Sequence, residues 1–187
     1  MQQKHDRARA VILAAGTSSR VGKQKLLMAF RGRTLIEYPI SAAQSWRPIV
    51  VAGAEVERYL LGRFDVEVVR NDEPERGMSH SLALANRVVP ANVSLLVLLG
   101  DKPLVNAPLI ESICNVADDA DVVYAVHRDV PGHPVALSPR ARRCIDGLPS
   151  GDTLRLLRQR PDMRQRAVQT SDVGAVFDVD TRSAFDD

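Results

Sequence analysis

Cysteine is scarce: Cys114 and Cys144 are the only two in 187 residues. They have no paired spacing for zinc and are too few for a secreted disulfide scaffold, so both read as reduced thiols. Long apolar runs are missing as well. Runs such as Leu95 to Leu99 are far too short to cross a bilayer. The opening Met1-Gln2-Gln3-Lys4-His5-Asp6-Arg7 lacks the apolar core of a signal peptide, so a cytoplasmic protein with no membrane partner is expected. A net charge of +2 gives little drive toward nucleic acid, and no nucleic-acid partner is expected. No internal repeat, low-complexity tract or linker divides the chain, so residues 1–187 are expected to form one domain.

Charge is present but unevenly placed. Residues 1–33 hold eight Lys/Arg against Asp6 alone, and the tail from Ser171 holds five Asp against Arg182 alone. Basic and acidic ends of this kind fit a polyanion and a metal. Between them, Ala10–Ala14, Pro48–Ala52, Val66–Val69, Leu95–Leu99 and Asp121–Val126 read as strands, and they lack the alternation of a half-exposed sheet. Helical spacing marks Thr34–Trp46, Glu55–Leu61, Met78–Val89 and Ala107–Ala117. The alternation predicts an α/β fold: a mostly parallel, doubly wound, Rossmann-like sheet with helices on both faces and its ligand beyond the carboxyl ends of the strands. After Val126 the pattern reads as a turn-rich loop over 130–134, a short strand over Val135–Leu137 and an Arg-rich helical stretch over Pro139–Arg166.

The first strand runs into Leu13-Ala14-Ala15-Gly16-Thr17-Ser18-Ser19-Arg20-Val21-Gly22, where small residues, backbone N–H groups and hydroxyls are free to meet a triphosphate. Arg20 and Lys25 would supply fixed positive charge for phosphoryl chemistry. The plainer reading is a Gly/Ser turn with solvated cations. The loop lacks the Gly-Lys-Ser/Thr ending of a Walker A sequence and is not Gly-x-Gly-x-x-Gly.

Leu13-Ala14-Ala15-Gly16-x-Ser18-x-Arg20-x-Gly22-x-x-Lys25 resembles the opening motif of the MobA-like nucleotidyltransferases, closest to the molybdenum cofactor cytidylyltransferases. Further matches follow in that family's order: Gly32-x-x-Leu35-Ile36, Asn71 through Gly77-Met78-Ser79-His80-Ser81-Leu82, Gly100-Asp101-Lys102-Pro103, Gly132-His133-Pro134-Val135 and Asp178-Val179-Asp180-Thr181. The resemblance covers residues 10 to 183 and implies the nucleotide-diphospho-sugar-transferase type of fold. Departures are Val21 for the usual Met, Ala29 for Pro, and Lys102 for Met or Gln. Gly151-Asp152-Thr153-Leu154-Arg155 is also one residue short of the family's Gly-Asp-x-Gly-Ala-Arg.

The resemblance implies binding roles for Leu13, Ala14, Ala15, Gly16, Ser18, Arg20, Lys25, Asn71, Gly77, Ser79, Ser81, Gly100 and His133, the last of which orders its loop or touches the second substrate, and catalytic roles for Arg20 and Lys25. The strand before Asp101 points its carboxylate at the ligand crevice, where Mg²⁺ beside phosphates wants such oxygens. Asp180 is the second metal ligand by resemblance, with Asp178 as competitor; Asp101 and Asp180 are also good turn or cap residues. Ser79 is equally a plain helix cap. His133 is not needed as a base, because a phosphate oxygen attacking phosphorus has no proton to lose. Arg140, Arg142, Arg143, Arg155, Arg158 and Arg160 read as a solvated face, or in part as a surface for a pterin phosphate or partner. The expected activity is Mg²⁺-dependent transfer of CMP from CTP to the phosphate of molybdopterin. Its rivals are transfer to a sugar phosphate or other alcohol phosphate, and a non-catalytic protein delivering the cofactor to an apo-molybdoenzyme or its chaperone.

Overall fold

The computed structural model describes residues 7–16, 24–149 and 153–179. In chain order the elements are β1 (Ala8–Ala14), β2 (Ala29–Phe30), β3 (Arg33–Thr34), α1 (Glu37–Ala43), β4 (Ile49–Ala52), α2 (Ala54–Leu60), β5 (Glu67–Arg70), α3 (Gly77–Val88), β6 (Ser94–Leu99), α4 (Ala107–Cys114), β7 (Val122–His127), β8 (Val130–Leu137), α5 (Pro139–Arg142), α6 (Thr153–Arg158) and β9 (Gln165–Gln169). Strands β2 and β3 form a small hairpin of their own. The rest make a seven-stranded sheet in the order β5-β4-β1-β6-β8-β7-β9. Among the described residues β8 alone runs against the others.

Both faces of this sheet are covered, and the side-chain alternation of the strands sorts residues between two apolar layers. Ile12, Val50, Leu96 and Leu98 pack with Ile40 of α1, Leu60 of α2 and Ile110 and Ile113 of α4. Val11, Val51, Leu95 and Val97 pack on the other face with Leu82 and Ala85 of α3, Ala141 of α5 and Leu154 and Leu157 of α6. Ile12, Leu96 and Leu98 are fully buried, and each such side chain contributes about 1.5–3 kcal/mol by leaving water. Burial on both faces is why β1, β4 and β6 read as unbroken apolar runs.

Three expectations are corrected. Residues 130–134 are not a loop but the first half of β8; Pro131 stands in register opposite Val126, and Pro134 falls at the register irregularity opposite Tyr124/Val126, where a strand tolerates proline. The stretch 139–166 is not one helical run: α5, a 3₁₀ turn over Ile145–Gly147 and α6 are followed by the start of β9. Helix α1 begins at Glu37 and not Thr34, because Thr34 belongs to the β2–β3 hairpin. No described helix is long and apolar enough to cross a membrane.

The chain leaves β1 toward β4 and β5, then returns to place β6 on the other side of β1. Neighbouring strands whose connections depart in opposite directions open a crevice at their carboxyl ends. That crevice lies between the loops after Ala14 and Leu99.

Candidate active site

The rims of β1 and β6 are tied together before any side chain is considered. The amide of Gly100 donates to the Leu13 carbonyl at 3.0 Å, so the loop carrying Asp101 starts directly beside the Leu13-Ala14-Ala15-Gly16 loop. Ala14 and Ala15 are buried and Gly16 is exposed. Lys25 opens a 3₁₀ turn over Lys25–Leu27 that is anchored by buried Leu26. A methyl on Gly100 would come within 3.1 Å of Ile36 and 3.2 Å of Leu26, so the absence of a side chain there lets the Lys25 turn close over β6. The result is a direct ion pair: Lys25 Nζ donates to Asp101 Oδ2 at 3.0 Å, with side-chain exposures of 15% and 27%. An ammonium and a carboxylate, both partly exposed, thus meet just beyond the carboxyl end of β6. Ser18 and Arg20 lie outside the described residues.

The acidic tail reaches the same place. Val179 N donates to the Asp101 carbonyl at 3.2 Å, which sets Asp178 and Val179 beside Asp101; Asp180 is outside the described residues. Two glycines let the tail dock. A Cβ on Gly174 would lie 2.2 Å from the Leu104 carbonyl oxygen, and one on Gly132 would lie 2.1 Å from that of Ala175. Backbone meets backbone on both sides of the turn Val173–Ala175, so no other residue fits either position. Asp172 accepts from Asn106 Nδ2 at 2.6 Å and fixes the turn's start. The buried Lys102 fixes its end, donating to the Val176 carbonyl at 3.1 Å and lying 3.5 Å from Asp178 Oδ2. Lys102 stood out in the sequence only as a departure from the family's pattern. The structure gives it a task, which is to hold the segment that bears the tail carboxylates.

Among the described residues no three His, Cys, Asp or Glu side chains converge as a metal cluster. A nucleotide-bound Mg²⁺ does not ask for one, since it takes one or two protein carboxylates and fills its octahedron with phosphate oxygens and water. Asp101 and a tail carboxylate fit that requirement.

On the other side of β1, Asn71 continues β5 by donating its N–H to the Ala52 carbonyl at 2.8 Å. Its side chain donates to Ser81 Oγ at 2.9 Å and accepts from Glu73 N at 2.9 Å. Asn71, Ser79 and Ser81 are buried. The Asn71–Ser81 bond therefore locks the start of α3 to the end of β5, and Gly77 begins that helix with φ of +82°. Sequence reasoning grouped these residues as nucleobase contacts; the geometry gives Asn71 and Ser81 each other as partners.

His133 lies in β8 beside the end of β6. Its Nε2 is shielded and has no hydrogen-bond partner among the described residues. Burial first, then the charges of Lys102 and Arg158, push its pKa from 6.5 down to about 3, so the ring is neutral at neutral pH. This gives a testable sign. The unfolded chain takes up this proton first, so the stability contributed by the neutral ring is whole above pH 6.5 and is lost as pH falls toward 3. Between pH 7.5 and 5 the loss from this group alone is about 2 kcal/mol. Denaturant midpoints should show it in the wild type and not in His133→Gln; equal pH dependence in the two would show that His133 is not the source.

The arginine-rich stretch also resolves residue by residue. Arg140 pairs with buried Asp121 at 2.9 Å and Arg160 with Asp162 at 2.9 Å. Arg142 is buried and directed at backbone carbonyls. Arg158 lies over the ring of Tyr124 at 5.2 Å. The common charge hid these separate duties in the sequence.

Comparison with known proteins agrees with this architecture. A molybdenum cofactor cytidylyltransferase of Escherichia coli (strain K12) is 24% identical over 181 residues, covering 94% of this chain and 92% of that protein. The crystal structure of a homologue of Mycobacterium tuberculosis Rv0371c, from Mycobacterium sp. strain JC1, superposes with a TM-score of 0.85 at 22% identity, covering 98% of this chain and 94% of that one. Rv0371c of M. tuberculosis H37Rv, in complex with manganese, superposes with a TM-score of 0.78 at 22% identity, covering 96% of each. The MobA-like NTP transferase domain matches residues 10–167. With that match spanning the crevice, the Lys25–Asp101 pair and most of the sheet, the chain belongs to the MobA-like NTP transferase family.

Proposed function

We propose that this nucleotidyltransferase moves CMP from CTP onto the terminal phosphate of molybdopterin and releases pyrophosphate, with Mg²⁺ as its metal. The observation that carries the reading is the Lys25–Asp101 pair, at 3.0 Å, on the rim between β1 and β6. Likeness over nearly the whole chain to the E. coli cytidylyltransferase supports the choice of base and acceptor. Asp101 and a tail carboxylate, Asp180 or Asp178, would hold the metal, which when bound neutralises charge on the triphosphate and the departing pyrophosphate. The loop of Leu13, Ala14, Ala15, Gly16 and Ser18 would cradle the phosphates, and Arg20 and Lys25 would supply positive charge to the α-phosphate. A terminal phosphate oxygen of the acceptor forms the new bond to the α-phosphorus. The bond from that phosphorus to the bridging oxygen of the β-phosphate breaks, and pyrophosphate carries away the electron pair. No proton has to be removed from the attacking group, which agrees with a His133 that is neutral and shielded.

Pyrophosphate release from the purified protein with CTP, GTP or ATP, Mg²⁺ and molybdopterin is the direct test. CTP with Mg²⁺ is expected to raise the melting temperature more than GTP does. A larger shift with GTP, or release only with a sugar phosphate as acceptor, removes this assignment.

A further inference from the structure

The half of the crevice beyond β6 is built from β8, β7 and α6, and among the described residues it carries a cation, Arg158, that no carboxylate pairs. In β8, Val135 and Leu137 enter the same apolar layer as Tyr124, Leu154 and Leu157, while Ala136 enters the opposite one. Tyr124 pairs with Val135 across β7 and β8, and His133, two residues before Val135, feels the charge of Arg158 directly. Arg158 ends α6 and places its guanidinium carbon 5.2 Å from the centre of the Tyr124 ring. Arg158 thus stacks on Tyr124 and lies close enough to His133 for its charge to act on the ring.

What they lack is an anion. Arg140, Arg160 and Arg166 pair with Asp121, Asp162 and Asp119, and Arg142 is taken up by carbonyls. Arg158 is half-buried, yet among the described residues it pairs with no carboxylate. Lys102 brings a second buried charge to the end of β6, with its ammonium committed to the tail. His133 adds an Nε2 without a partner among the described residues. A partly desolvated guanidinium and an unpaired ring nitrogen are unfavourable unless something completes them. Arginine's planar fork, held flat by stacking on Tyr124, matches the oxygens of a phosphate.

We propose that Arg158 and His133 form a second anion subsite that takes the phosphate monoester of the acceptor. The identity of the anion as acceptor rests on the transferase reading above; the site itself rests on these residues. Glycerol phosphate, added without metal or nucleotide, is the probe, and the ring signals of His133 in a nitrogen–proton NMR spectrum are the local readout. Glycerol phosphate is expected to move those signals with a millimolar dissociation constant. Arg158→Met should raise that constant at least tenfold, Arg158→Lys less, and the exposed Arg143→Met not at all. The proposal is overturned if the wild-type signals do not move, if they move equally in Arg158→Met, or if pyrophosphate moves them and glycerol phosphate does not. Should Arg158→Met fail to fold, the wild-type titration and Arg158→Lys still decide. Binding of glycerol phosphate with no nucleotidyl transfer would sink the transferase reading and leave the anion site standing; CTP and metal bound with His133 silent would do the reverse.

Discussion

Lys25→Met is expected to slow the chemical step about 100-fold or more, equivalent to roughly 2.7 kcal/mol of transition-state stabilisation, while CTP affinity falls only modestly. Methionine keeps the apolar stem and removes the ammonium. The charge should matter most when phosphorus is five-coordinate, so kcat and kcat/KM should fall together. The 3.0 Å pair with Asp101 adds a second consequence. Lys25 holds the carboxylate that the metal would take, so under the proposed function metal binding and release of Lys25 toward phosphate would be coupled, and nucleotide would favour both at once. In Lys25→Met the carboxylate loses this partner, and Mn²⁺ binding in the absence of nucleotide should tighten severalfold, measured by the loss of the free-ion electron paramagnetic signal. Asp101→Asn should fold, lose turnover and lose that Mn²⁺ binding. Single-turnover rates unchanged in Lys25→Met, with only weaker CTP binding, would make Lys25 a binding residue and leave Arg20 and the metal to carry the chemistry.

The parts of the molecule that could be read from the chain are those where one physical demand acts alone. Strands β1, β4 and β6 are buried on both faces, so their sequences are continuous apolar runs, and the crevice between β1 and β6 follows from their order. Asp101 was legible for the same reason, because a carboxylate directly after a central strand has few places to go. Elements under two demands were not legible. Strand β9, Gln165-Arg166-Ala167-Val168-Gln169, is an edge strand that is largely exposed, so the pairing it gains from β7 leaves no apolar pattern. Strand β8 carries Pro131, Gly132 and Pro134, whose turn signals outweigh Val135–Leu137, yet Gly132 is there to let Ala175 approach. The tail's docking depends on a contact between residues over forty positions apart. No local spacing announces it. Lys102 illustrates the gap: an unexpected lysine in a motif becomes intelligible only when the Val176 carbonyl and Asp178 are seen beside it.

Arg142 should prove the most sensitive structural residue in the arginine-rich stretch. It is buried and, among the described residues, its guanidinium meets no carboxylate. Instead Nη2 donates to the carbonyls of Asn86 at 3.0 Å and Val89 at 2.8 Å, and Nη1 to those of Pro90 at 2.6 Å and Val93. Nε donates to Asn86 Oδ1 at 2.8 Å. Asn86 and Val89 lie at the end of α3, where the last carbonyls of a helix have no partner within it, and Pro90 and Val93 belong to the connection to β6. The guanidinium's positive charge also suits the negative end of the helix. Arg142→Met keeps the stem and strands these acceptors in a site that water does not reach, so a loss of about 3–5 kcal/mol in unfolding free energy is expected. Arg142→Lys offers three donors without the fork and should fall between the wild type and Met. Exposed Arg143→Met should stay within about 0.5 kcal/mol of the wild type. Urea denaturation of the four proteins would decide it: if Arg142→Met lost less than about 1 kcal/mol, comparable to a surface substitution, the carbonyls at the end of α3 would have to be satisfied without Arg142.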